Sequence, residues 1–517
     1  MPNAFGIDFG TTNTRVAYCD GEQVKMVPFH SREHGNTYQI PTAIAYHRGT
    51  PVATGFEALM PPRGSLFPEP LKWILGQEEP VEADGESRDR VDIVADFLLR
   101  LRERVADSLP NAPLERAAVT IPVHYPPRAR EQLDRAFRKA GIEVSHFFFE
   151  PIAAIYAGLI GEPASGVTAV FDWGGGSLDI ATVQIRDGIA LTRQIDGWHR
   201  GGSHFDRLVA QQTVNDFLAR NPSIEGFPTD TILDRMKVGR DLRLRVEAAK
   251  IQLSRHPEAS VTFLTFLQGA NINYRLRRDE FDELIAPDVR SAIARLERAL
   301  RASGVTHTTL ARLFLSGGTC NIPAIKNRLA TDIAGHKLVG SLRLPARMKD
   351  SHALGGLDDI GNATAVGAAL LAVHGSEPVF ASAIGVRLSG EQESFHPIFR
   401  EGERLDFRPK MERFFVTDAR AGVARLLVCD QDDPVIQPSG RLLRVITVPI
   451  ETDENWIEAR FTLDRHLALK VDAAGQQNIK RDTFGRISSW PSEPAWVQSL
   501  NLGFRIPDFT IERVLTR

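Results

Sequence analysis

An apolar run ending in an aspartate, then a glycine-rich turn and a second strand-like run, occurs twice in this chain. The copies are "GIDFGTTNTRVAYCDG" from Gly6 and "VFDWGGGSLDIATVQIRDG" from Val170, and aligning Asp8 with Asp172 superimposes them. Glycine costs a regular element about 0.5–1 kcal/mol relative to alanine, so the run Gly174–Gly176 requires a neighbour too close for any Cβ. Each copy also carries a "DG" hairpin signal. The pattern predicts a duplicated domain in which each half opens with a β-hairpin and the two turns face one another.

Backbone N–H groups exposed by such turns form concave anion sites. An aspartate beside them repels phosphate unless it holds Mg²⁺ through the water shell that this ion surrenders reluctantly. Asp8 and Asp172 would then flank one metal–nucleotide complex, with the hydroxyls of Thr11 and Thr12 available to its phosphates. No P-loop consensus is present. A third glycine turn, "SGGT" at Ser316–Thr319, follows a short apolar run. A single turn of this kind is an ordinary structural hairpin; three together are not.

The 517 residues suffice for three or four domains at about 100–200 residues each. Helical periodicity covers 91–109, 126–141, 205–219, 231–253 and 279–303, alternating with strand-like runs, which predicts an α/β core. From Val379 to about 475 the pattern changes to short alternating runs such as "GRLLRVITVPI", the mark of a separate β-sandwich. With 62 Lys and Arg against 65 Asp and Glu, no basic footprint for nucleic acid or a membrane surface exists. Cys19, Cys320 and Cys429 are isolated and odd in number, so buried free thiols are expected. The sequence opens on no signal-like segment, holds no run near the ~20 apolar residues that span a bilayer, and spaces its histidines like no metal motif. The expected setting is cytoplasmic.

In this order the motifs resemble those of the seventy-kilodalton heat-shock (DnaK-type) chaperones of the actin-like ATPase superfamily, over about residues 4–475. "GIDFGTTNT" is similar to the first phosphate motif, "VFDWGGGSLD" to the second and "FLSGGTCNIP" to the adenosine motif. "EPIAAIYAGL" resembles the connecting helix, "GGSHFD" the glycine pair of the second half and "EAAKIQLS" the nucleotide-facing helix. The fold class implied is α/β: a duplicated actin-like (ribonuclease H-like) ATPase domain of two lobes at 1–372, followed by a C-terminal β-sandwich domain. A linker at 373–386 would lead to that substrate-binding-like domain at 387–475, and a tail at 476–517 is too short for a helical lid.

The resemblance also implies ATP or ADP with Mg²⁺ as cofactors, and in-line attack of water on the γ-phosphate. Lys72 aligns with the lysine that positions the water; Glu150 and Asp172 align with the groups that order water and metal. Ser177 stands where the family has threonine, and Asp179 completes that turn. Gly10, Thr11, Thr12, Asn13, Gly174, Gly175, Gly201 and Gly202 match the phosphate side, while Gly317, Gly318 and Thr319 fall in the adenosine motif. Glu247 and Lys250 match ribose-holding groups, and Ser254 one that contacts the base. Mg²⁺ would be held through water by Asp8 and Asp172.

Several positions depart from the family. Ile251 and Asn321 occupy the places of two adenine-flanking arginines, which predicts weaker base binding or a relaxed base preference. Gly361 replaces an aspartate. Pro122 and Arg130 match an interdomain relay, but the segment "VHGSEPVFASAIGV" lacks the family's apolar linker, and the peptide-enclosing loop reads "SGEQES" at 389–394. The expected function is a chaperone-like ATPase that couples its nucleotide state to a sandwich binding a peptide or client protein. A co-chaperone or nucleotide exchange factor is the further partner expected, with no nucleic acid and no membrane. A non-catalytic ATP-binding sensor or adaptor is the alternative, and a sugar kinase of the same superfamily a weaker one.

Overall fold

The computed structural model describes residues 4–505 apart from 21–22, 32–34, 62, 124, 160–165, 187–188, 225–227, 236, 307, 335–337, 340–359, 375–377, 389–392, 417–419, 421, 432–437, 482–486, 491–494, 498–499 and 501. Most of the loop at 389–394 and part of the linker therefore lie outside the described residues. The protein is mixed α/β with several sheets and a strand-rich C-terminal region.

Two mixed sheets carry the two hairpins. The first runs Glu143–Phe149, Arg116–Ile121, Ala4–Phe9, Asn13–Cys19, Val24–Met26, with Ile40–Pro41 added to Asn13–Cys19. The second begins Leu338–Val339, Leu310–Ser316, Gly166–Trp173, Leu178–Arg186, Ile189–Trp198. In both, the strand ending at the glycine turn has antiparallel hairpin partners on one side. Parallel strands lie on its other side. Strands covered on both faces read as continuous apolar runs, and all but the first residue of Ala4–Phe9 are buried.

Helices form where the periodicity predicts them, at Arg90–Ser108, Pro127–Lys139, Gly202–Arg220, Lys237–Leu253 and Arg278–Ala302. The short Thr229–Arg235 precedes the fourth. Asp89 caps the first by accepting from Val91 N at 2.7 Å, satisfying one of the free N–H groups of the opening turn. Pro127 suits a helix start because its missing N–H has no partner there anyway. Glu150–Leu159 packs against Ala363–Val373, which is buried along almost its whole length and correspondingly apolar on every side.

The C-terminal region contains two four-stranded antiparallel sheets. One is Ser394–Phe399, Ala383–Leu388, Val423–Gln431, Arg441–Pro449; the other is Lys410–Phe415, Trp456–Leu463, Leu469–Gly475, Ala495–Val497. Inward residues such as Ile384, Leu426, Val428, Ile457, Phe461 and Val471 are buried and continuous with the core around the first mixed sheet. Ala383–Leu388, at the end of the segment read from sequence as linker, is thus a strand of the first of these sheets, and Ala495–Val497, in the second, comes from the stretch read as tail. Further along, Leu502–Arg505 pairs with Ile189–Trp198 on one edge and with Pro378–Phe380 on the other, so it inserts between the second mixed sheet and the linker.

A second junction lies on the helix Pro127–Lys139. Arg130, buried to 1% exposure, donates from Nη1 to the carbonyls of His466 at 3.0 Å and Leu467 at 2.9 Å. Asp134 accepts from Arg138 at 2.6 Å, from Arg465, and from His466 Nε2 at 3.2 Å. Burial pulls the His466 imidazole pKa down, but the carboxylates of Asp134 and Asp464 more than offset this and leave it raised. Burial pushes Asp134 up, yet His466 and the two arginines hold it below the ordinary carboxylate range.

The signs fix a pH window. The His466 contribution is complete below its ordinary value and fades as pH climbs through the raised one; that of Asp134 fades as pH falls through its depressed value. Docking of the 464–467 turn onto this helix should therefore be tighter at about pH 6 than at pH 8.5. Amide exchange of Ala468 and of residues 134–138 at the two pH values reads this, and His466→Gln should abolish the difference.

Candidate functional site

The turns of the two hairpins meet across an open cleft. Asp8, Gly10, Thr11, Thr12 and Asn13 line it from the first hairpin, and Asp172, Gly174, Gly175, Gly176, Ser177 and Asp179 from the second. Lys72 and Glu150 enter from loop and helix start, Gly202 and Asp206 from one helix, and Glu247, Lys250, Ile251 and Ser254 from another. Gly317, Gly318 and Thr319 close the far side, with Gly361 beside them. Sequence motifs spread over more than three hundred positions thus converge on one cavity.

The glycine run owes its composition to the opposing turn. A Cβ on Gly175 would stand 2.1 Å from Thr12 Oγ1, and one on Gly176 would stand 2.6 Å from Thr11 Oγ1. The turn is braced from behind: Gly202 N donates to Gly174 O at 3.0 Å and Ser203 N to Gly175 O at 2.8 Å. Thr319 Oγ1 adds a bond to Gly174 O at 2.8 Å. Gly201 accordingly backs onto the glycine turn, not onto the cavity. The helix Gly202–Arg220, which has no side-chain cap, has its first free N–H groups satisfied by these carbonyls.

Charge is the second constraint. Lys72 Nζ lies 2.5 Å from Glu150 Oε1, with both side chains almost fully buried. Burial and then the neighbouring Glu150 raise Asp8 to about 6, against the pull of Arg15 and Lys72. Burial, Glu150, Asp179 and Asp8 push Asp172 well above the carboxylate range, and burial followed by Glu150 lifts Asp179 to about 7. Ser177 Oγ donates to Asp179 Oδ2 at 2.9 Å. Lys250 Nζ pairs with Asp206 Oδ1 at 2.7 Å, yet burial still holds Asp206 near 6. Among the described residues no three His, Cys, Asp or Glu side chains converge closely enough to ligate a metal directly. The all-oxygen set around Asp8 and Asp172 fits a hard cation that keeps its waters, and each raised carboxylate marks the place where positive charge would be welcome.

Two expected residues behave differently at the base end. Ile251 lines the cleft and is 56% exposed. Asn321 is exposed and outside the lining, where Ile322 stands instead. Sequence reasoning missed Arg15, Gln39, Asp206 and Tyr125. Arg15 could have been found from hairpin register, since it is the cross-strand partner of Asp8. Asp206 follows Gly202 by four residues, one helical turn, which puts both on one face. Tyr125, buried, donates from its hydroxyl to Lys72 O at 2.7 Å, and its own carbonyl accepts from Arg130 Nε at 2.8 Å. No local pattern announces that link.

The two mixed sheets thus bring paired glycine turns and a buried Lys–Glu pair to one cleft. The Hsp70 protein family model matches residues 76–342, just over half the sequence. The chain belongs to the Hsp70 family, whose members are ATP-binding proteins of chaperone type.

The packing of the turns predicts unequal tolerance of alanine. A Cβ on Gly174 meets only Ser177 O at 3.7 Å, so Gly174→Ala should melt within a degree or two of wild type. Gly175→Ala must push Thr12 and the first hairpin away, an overpacking cost of about 1–3 kcal/mol. It should lower the melting temperature by several degrees and weaken ATP binding at least tenfold, read by thermal shift and by fluorescent-nucleotide titration.

Proposed function

We propose that this protein is a chaperone-like ATPase that binds and hydrolyses Mg-ATP and passes its nucleotide state to the C-terminal β-sandwich, which holds a peptide or client protein. The observation that carries the reading is the buried Lys72–Glu150 pair set between two facing hairpins. A buried ion pair is poor value for stability, because desolvation offsets most of its attraction. Its place in a cleft of perturbed carboxylates suits chemistry better. The matching strand order of the two mixed sheets supports a duplicated two-lobed nucleotide domain, as the resemblance implies.

In this reading the hydroxyls of Thr11 and Thr12 and the amides of the glycine turns receive the phosphates. Asp8 and Asp172 would hold Mg²⁺ through water, and the bound ion would neutralise charge on the phosphate oxygens. Glu150 orients the attacking water, Lys72 stabilises charge accumulating on the phosphoryl oxygens, and Ser177 fixes Asp179. Catalysis is positioning and electrostatics, with no covalent intermediate. Glu247 and Lys250 take the ribose, Ser254 and Ile251 the base.

Coupling has a continuous path in hydrogen bonds. Lys72 offers its carbonyl to Tyr125, Tyr125 its carbonyl to Arg130, and Arg130 its guanidinium to His466 and Leu467. A shift of Lys72 on nucleotide binding thus bears directly on the turn that carries the sandwich. Co-chaperones or exchange factors would act on this same equilibrium.

Single-turnover hydrolysis tests the assignment. Lys72→Ala should slow the chemical step by about 10²–10³, the usual scale for removing one transition-state stabiliser, with ATP affinity changed only a few-fold. Lys72→Met, which keeps most of the volume, controls for the cavity that alanine leaves. Hydrolysis at wild-type rate in both variants would sink the catalytic reading. ATP binding without any turnover in the wild type would favour a nucleotide sensor instead.

A further inference from the structure

We propose that Arg15 is a direct phosphate ligand of the cleft, which commits it to nucleoside polyphosphates. The inference rests on the nucleotide reading above and adds a contact that the motifs do not supply. Asp8 and Arg15 are cross-strand partners in the first hairpin, so both side chains leave the same face of the sheet, and both line the cleft. The same register position in the second hairpin pairs Asp172 with Asp179. One jaw therefore presents two carboxylates, the other a carboxylate and a guanidinium.

The remaining cations of the cleft are engaged at short range. Lys72 is 2.5 Å from Glu150 and Lys250 is 2.7 Å from Asp206. Arg15 is held differently. Its Nη2 donates to Gln39 Oε1 at 2.6 Å, while Nη1 stands 3.7 Å from Asp8 Oδ2, beyond hydrogen-bond reach. A guanidinium carries five donors in a rigid fork that matches phosphate bidentately. Gln39 occupies one donor and orients the plane, and the side chain is only 14% exposed. A charge so placed is screened less than one on the surface.

With a divalent cation held through water between Asp8 and Asp172, as read above, phosphate oxygens that the cation does not compensate find a fixed positive charge at Arg15 on the first hairpin.

Calorimetric titration of Mg-ATP into the full chain, at several KCl concentrations, tests this with wild type, Arg15→Ala and Arg15→Lys. A charge-assisted contact to phosphate of this kind is worth about tenfold to a hundredfold in affinity. Arg15→Ala should lose that factor at low salt and flatten the salt dependence of the dissociation constant, a readout that a purely structural role would not move. Arg15→Lys should restore only part of the loss, since an ammonium cannot present the fork; should Arg15→Ala fail to fold, this variant alone must bind several-fold more weakly than wild type. Unchanged affinity in both variants, or a fall in affinity with an unchanged salt slope, overturns the inference while leaving the nucleotide reading intact. A wild-type chain that binds no Mg-ATP overturns that reading and this contact with it.

Discussion

The Lys72–Glu150 pair is the interaction on which the site's other features depend. Asp8, Asp172 and Asp179 face the same small volume as Glu150, and burial together with that carboxylate raises all three. Without the lysine, Glu150 would be stranded beside them, and stranding one member of a buried pair costs about 3–5 kcal/mol. With it, the cleft remains deficient in positive charge, and the carboxylates relieve that only by taking up protons or a cation. A polyanion enters such a place on favourable terms only if it brings a cation with it, which is how a nucleotide travels with Mg²⁺. The electrostatics and the proposed ligand therefore support each other, from the carboxylates' side and not from the glycine motifs alone.

The same lysine connects the cleft to the rest of the molecule through its backbone. Its carbonyl holds Tyr125, and the next links are Arg130 and the 464–467 turn. Burial lowers Arg130 to about 10, still far above neutrality, so the guanidinium keeps its charge while losing water. Its bonds to two carbonyls of the C-terminal region then carry the cost of that desolvation. Separating the two regions without hydrating Arg130 would strand a buried cation. Two arrangements, docked with Arg130 bonded and undocked with Arg130 in water, are what coupling needs; intermediate ones are unfavourable. The strand Leu502–Arg505 adds a second tether, since it closes a ladder between the linker and the second mixed sheet.

The parts of this arrangement written in local pattern were legible in the sequence. Hairpins at Asp8 and Asp172 follow from alternation and turn chemistry, and the long helices from their period: four have ends within three residues of the reading, while the run read as 231–253 is Thr229–Arg235 followed by Lys237–Leu253. Convergence of the motifs on one cleft was what the family resemblance implied. Pairings between distant segments left no such mark. Nothing in "WVQSLNLGFR" says that its strands join a sandwich sheet and then a different sheet. Tyr125 is a single aromatic in a loop, and its worth lies in a partner fifty-three positions away. Arg15 lies outside its motif's turn "GTT": the residue facing Asp8 sits beyond it, in the strand Asn13–Cys19.

What Gly175 and Gly176 make room for is the other hairpin. Thr11 and Thr12 occupy the space that side chains on Gly176 and Gly175 would fill, so the two turns interlock, one contributing hydroxyls and the other bare backbone. That division has a consequence for how the cleft works. Hydroxyls rotate to suit a ligand, whereas the glycine carbonyls are fixed by Gly202, Ser203 and Thr319. The second hairpin is thus the rigid jaw, tied to a helix start and to the strand–turn at Ser316–Thr319, and the first is the adaptable one. Any motion that opens the cleft must separate Thr12 from Gly175 before it disturbs the braced turn. Where the two turns touch, the contact is van der Waals, worth ~0.1–0.2 kcal/mol per atom pair. A ligand that binds both turns would add charged contacts to these weak ones.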